Sequence, residues 1–180
     1  MVAEVKGNGI YLFKQYVVDS YGDKRFEEIV RSMPEETREH MQGTILSDRW
    51  YPIETIQDYL CACEKMLGTE DLRKMAQYAV DKQIVGFFHY LLRIISFEKV
   101  MSNMDKMWSK YYSTGSLQLV EISDDMFIVE IRGFCFTPSH LTGFRFYLEE
   151  LFKKITEKKI SCKTEAIGPD DTRFTFHIFL

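Results

Sequence analysis

The feature that most limits what this chain can fold into is a change of hydrophobic period near Gly115. Before it, apolar residues recur every three or four positions, as on a helix face; after it they alternate, as on a half-buried strand. Ile10, Phe13, Val17 and Tyr21 describe a first helix that Gly22 stops, and Asp23 caps a second carrying Phe26, Ile29 and Val30. Pro34 with Glu35 and Glu36 starts another short turn of helix, and Thr44 to Trp50 reads as extended or loop. Pro52 opens an amphipathic helix with Ile53, Ile56, Leu60, Cys63 and Leu67 on one face, closed by Gly68, and Thr69 starts the next, carrying Leu72, Ala76, Ala79 and Val80. After an interruption at Gly86, Phe87 to Ile95 is apolar on nearly all sides, as a buried helix is. Ser96 caps a helix expected to carry Phe97, Met101, Met104, Trp108 and Tyr111 on one face.

Beyond Gly115, Leu117 and Leu119 are followed by a turn at Ser123-Asp124-Asp125 and then by Phe127, Val129 and Ile131, which describes a hairpin. Pro138 starts a helix with Leu141, Arg145, Leu148, Phe152 and Ile155, and a second hairpin, Ile160 to Ala166 and Arg173 to Phe179, turns at Gly168-Pro169-Asp170-Asp171. The expectation is one α+β domain over 1–180: helices to about 115, then an antiparallel sheet over about 116–180 in strand-strand-helix-strand-strand order.

Composition narrows the function classes. A net charge of -4 argues against general nucleic-acid binding, which needs a surplus of Lys and Arg. No stretch approaches the roughly 20 apolar residues of a membrane span, and Met1 to Gly7 has no apolar signal region, so a cytoplasmic protein is expected. The 14 Phe, 10 Tyr, 2 Trp and 9 Met supply a core of large, adaptable side chains, either solid or lining an apolar cavity. Enzyme motifs are missing: Gly7-Asn8-Gly9 lacks a Lys-Ser/Thr pair, and there is no Gly-x-Ser-x-Gly elbow. Cys61 and Cys63 are two apart on a helix and make no natural chelate; Cys135 and Cys162 show no disulfide framework. Lys153, Lys154, Lys158 and Lys159 read as a solvated face, and Asp124-Asp125 and Asp170-Asp171 as turn residues.

Nearly the whole chain resembles a haem–nitric oxide/oxygen binding (H-NOX) domain. The opening run Tyr11 to Val30 with Tyr21-Gly22-Asp23, Arg49-Trp50-Tyr51-Pro52 before a helix, Asn103-Met104-Asp105, and the last hairpin carry the resemblance. The family residue corresponding to Trp108 is the histidine that ties haem iron to the protein. An indole nitrogen carries a hydrogen and offers no lone pair to iron. The family's Tyr-x-Ser-x-Arg clamp for haem propionates falls on Val129, Ile131 and Gly133, with Arg132 one residue away. The resemblance with these departures implies a haem-free relative with no cofactor, and distant relatives of the fold imply that its cavity can hold other apolar molecules.

The expected function is a regulatory, sensory module of bacterial type, not an enzyme, that binds an apolar small molecule and signals to a partner such as a kinase or a cyclic-nucleotide enzyme. The expected pocket is Met101, Met104, Trp108, Tyr111 and His89, with no metal site. The alternative is a ligand-free interaction or scaffold domain with a filled core. His89, as a displaced haem ligand, is a third reading, although a histidine in an apolar helix is ordinarily a satisfied core residue. His140 and His177 have no ligand-spaced partner, and His40 reads as solvated.

Overall fold

A computed structural model describes residues 2–83 and 97–179. The expected helix Phe87 to Ile95, its flanking Gly86 and Ser96, and His89 lie outside the described residues. In chain order the elements are β1 (Glu4–Lys6), α1 (Gly7–Arg31), α2 (Glu35–Gln42), β2 (Trp50–Pro52), α3 (Ile53–Leu67), α4 (Thr69–Gln83), α5 (Phe97–Met101), α6 (Met104–Tyr111), β3 (Ser116–Ile122), β4 (Met126–Arg132), α7 (Pro138–Thr156), β5 (Lys159–Gly168) and β6 (Asp171–Phe179). Helices precede an antiparallel sheet of order β3-β4-β6-β5, with α7 between its two hairpins. This is the expected α+β order.

Local chemistry explains most boundaries. Gly22, at φ 80, is non-helical and kinks α1, so the two helices expected on either side of it run as one bent rod. Pro52 precedes α3, and Gly68, at φ 97, ends it with its N–H donating to the Glu64 carbonyl. Thr137 and Pro138 open α7, and Glu157 closes it in the left-handed region at φ 56. The helix expected from Ser96 through Tyr111 is instead two pieces, α5 and α6, separated at Ser102 and Asn103. Here the Asn103 amide donates to the Lys99 carbonyl, which competes with helix continuation.

The sheet buries one face. Phe127, Val129, Ile131, Phe174 and Phe176 are fully buried, and the register pairs Phe127 with Phe176 and Val129 with Phe174. Phe152 of α7 meets both rings of the first pair edge-on, at 4.8 and 5.0 Å. On the outer face Glu130 is buried beneath two guanidinium groups. Arg132 and Arg173 each donate two hydrogen bonds to it, and they hold its carboxyl below the usual carboxylate range.

Two three-residue strands fall outside the expected pattern. β1 pairs antiparallel with β2, Val5 opposite Tyr51, and Val5 also bridges to Tyr112 just after α6. Gly7 follows directly, its N–H donating to the Arg49 carbonyl at 2.9 Å. A Cβ there would lie 2.1 Å from the Leu46 carbonyl oxygen and 2.8 Å from the Tyr51 ring. Gly7→Ala is therefore expected to destabilise by about 1–3 kcal/mol or more, lowering Tm by roughly 5–10 °C. An unchanged melting temperature would show that the segment before β2 does not pack on the start of α1.

Candidate ligand cavity and its histidine

A cavity of about 120 Å³ lies among the helices where they meet the sheet. The start of α1 contributes Gly9 and Phe13, α3 contributes Ile56 and Leu60, and α6 contributes Met104, Met107, Trp108 and Tyr111. α7 supplies a stripe at helical spacing: His140, Phe144, Tyr147, Leu148, Leu151 and Phe152. Tyr111 lines the cavity and is also 39% exposed to solvent.

Trp108 forms much of the wall. Its ring stacks on Tyr112 at 4.2 Å between centroids and meets Phe134 edge-on at 5.0 Å. Its indole N–H donates to the Thr114 carbonyl at 2.8 Å, so its polar atom is satisfied inside the fold. Of the five expected pocket residues, Met104, Trp108 and Tyr111 line this cavity. Met101 is buried in the core and does not line it, because the break at Ser102 and Asn103 resets the helical phase. His89 lies outside the described residues.

The polar group that sequence reasoning passed over is His140. It lies in the first turn of α7 and is 2% exposed. Its Nε2 is 3.5 Å from the Tyr112 hydroxyl, and its Nδ1 has no hydrogen-bond partner among the described residues. Phe136 and Phe134 flank the ring at 4.9 and 5.8 Å. Its phase with Phe144, Tyr147 and Leu151 was the available signal; of the expected face Leu141, Arg145, Leu148, Phe152 and Ile155, only Leu148 and Phe152 line the cavity. His40, expected to be solvated, is half-buried and edge-on to Tyr51 at 6.0 Å.

Burial pushes the His140 pKa down to about 3. The unfolded chain takes up a proton on this ring below about pH 6.5, whereas the folded protein stays neutral until about pH 3. More protons are bound unfolded than folded inside that window, so stability falls as pH drops through it. The slope is up to about 1.4 kcal/mol per pH unit. Replacing His140 with Phe is expected to shrink the stability difference between pH 7 and pH 4.5 by on the order of 2 kcal/mol. Denaturant titrations at the two pH values measure it, and equal pH dependence in both proteins would mean that the ring is not buried.

No family model matches the sequence, and no curated relative does. Solved structures do match. The Fe(II) unliganded H-NOX protein from K. algicida superposes with a TM-score of 0.69 at 12% identity, over 97% of each chain. The S. oneidensis H-NOX protein in its Fe(II)NO state gives 0.68 at 10% identity, over 97% of this chain and 99% of that one. An oxygen complex of an oxygen-binding H-NOX domain related to soluble guanylate cyclases gives 0.62 at 15% identity, covering 96% and 93%.

These comparisons correct one expectation. Absence of a cofactor was inferred from Trp108 together with the missing propionate clamp, yet the solved structures that share this fold include Fe(II) H-NOX proteins and one studied for heme distortion. Loss of one histidine position is insufficient ground, because His140 puts another neutral imidazole on the cavity wall. The fit to a haem is partial: a nitrogen donor and apolar walls are present, while the open volume holds a single ring. Among the described residues no group of three or more metal-ligating side chains occurs, and no helix is long and apolar enough to cross a membrane. Taken with the element order and the sheet topology, coverage of 97% at these scores makes the chain an H-NOX-like domain by fold.

Proposed function

We infer that this chain is a sensory ligand-binding module that takes a largely apolar small molecule into the cavity and signals its presence to a partner protein. The observation that carries this reading is the cavity itself, walled by α6 and α7 with the part-exposed Tyr111 in its lining. A ligand that fits one packing of α6 better than another shifts the population between them. α6 is tied to β3, where the Asp105 carboxylate accepts from the Leu117 N–H at 3.4 Å. It is also tied to β1 through the bridge from Val5 to Tyr112. Movement of α6 is thereby felt at two surfaces that a kinase or a cyclic-nucleotide enzyme could read. A haem would supply a gas-binding metal of the kind its neighbours in fold carry, and His140 would offer iron a lone pair on Nδ1 only as the Nε2–H tautomer, with the Tyr112 hydroxyl oxygen accepting.

A second reading, a ligand-free interaction domain, is favoured by the close ring packing around Trp108. Native mass spectrometry against the denatured mass separates the two. Extra mass released on denaturation is expected, and its value identifies a porphyrin or a smaller metabolite. A bare mass that stays bare after incubation with haem and with small aromatic compounds would leave the interaction domain standing.

A further inference from the structure

Among the described residues the cavity has one buried polar atom without a partner, Nδ1 of His140. The described wall around His140 is aromatic and aliphatic, and the neighbouring hydroxyl of Tyr147 is already committed, donating to Gln83 at 2.5 Å. His140 faces the Tyr112 hydroxyl through Nε2, and Nδ1 is buried without a partner among the described residues. A phenol is the better donor and an imidazole nitrogen the better base, so the Tyr112 O–H points to Nε2. The ring is neutral, which leaves its single proton on Nδ1. An N–H donor is therefore stranded at a cavity wall, a state that native proteins seldom leave unfilled.

We propose that His140 recognises an uncharged acceptor oxygen on a single-ring ligand, with Nδ1–H donating to a carbonyl or ether of that ligand while Trp108 and Phe144 hold its ring. The proposal rests on the ligand-binding reading above and adds the chemical class of the ligand. Size supports it: 120 Å³ is close to the roughly 150 Å³ of an engineered apolar cavity that admits benzene. The neutral state of the imidazole supports an uncharged acceptor, since a carboxylate would draw a second proton onto a ring that burial keeps neutral.

Acetophenone and ethylbenzene test it, being nearly the same shape and differing by a carbonyl in place of a methylene. Affinities of both probes for the full chain are measured for wild type and for His140→Phe. The ratio of acetophenone to ethylbenzene affinity is expected to drop about tenfold in the variant, the loss of one buried hydrogen bond. Wild-type ¹⁵N imidazole spectra give a readout that does not depend on the variant folding. They are expected to show a protonated Nδ1 whose resonance moves with acetophenone and stays with ethylbenzene. Binding of both probes with an unchanged ratio and an unmoved resonance would overturn the role of His140 and leave the cavity reading intact. Failure of both probes to bind at all would overturn both.

Discussion

Trp108→Ala is expected to lower stability by about 3–5 kcal/mol and to release whatever the cavity holds. The ring is 4% exposed, stacked on Tyr112 and edge-on to Phe134 and Phe144. Its removal takes away that contact area and also leaves the Thr114 carbonyl without its indole donor. For a chain of this length the stability loss corresponds to a fall in Tm on the order of 10 °C. Thermal melts measure the first effect and native mass spectrometry the second. A destabilised variant that still retains its extra mass would remove α6 from the ligand site while leaving Trp108 as a packing residue. A variant with unchanged Tm would contradict the packing itself.

Phe152→Ala should destabilise by a similar amount, about 3–5 kcal/mol, for a different reason. Phe152 is fully buried where α7 lies on the sheet, with Phe127 and Phe176 both edge-on to it. Truncation leaves a void between helix and sheet that neither strand can fill, because Phe127 and Phe176 are themselves paired in register and stacked at 4.5 Å. Phe179, 47% exposed at the end of β6, is the control: its replacement by Ala should change stability by no more than about 0.5 kcal/mol. Equal effects at the two positions in a urea titration would mean that α7 does not seat on this face of the sheet.

Periodic elements could be read from the residues because their burial is periodic. α3 buries Ile53, Ile56, Leu60 and Cys63 as the spacing requires, and β4 buries Phe127, Val129 and Ile131 by alternation. β1 and β2 left no such trace. Three residues hold barely one period, and the pairing of Val5 with Tyr51 is fixed by contacts 46 positions apart. The cavity was half visible for the same reason. Met104 and Trp108 stand four apart on one helix, whereas Met101 belongs to a helix with its own phase once Asn103 turns its side chain onto the Lys99 carbonyl. His140 was overlooked because it was judged by its lack of a ligand-spaced partner along the chain. Its placement opposite Tyr112 comes from the meeting of α7 with the segment after α6, which no local spacing encodes.

Val5 occupies a junction of three parts of the molecule: it pairs with Tyr51, bridges to Tyr112 and forms part of the cavity wall. Three positions earlier Val2 is 66% exposed. A short rigid strand thus connects a solvent-facing residue to the interior, much as the needle of a gauge connects a dial to a diaphragm. An environment-sensitive dye attached through a cysteine at position 2 would report cavity occupancy optically, without touching α6, α7 or the sheet.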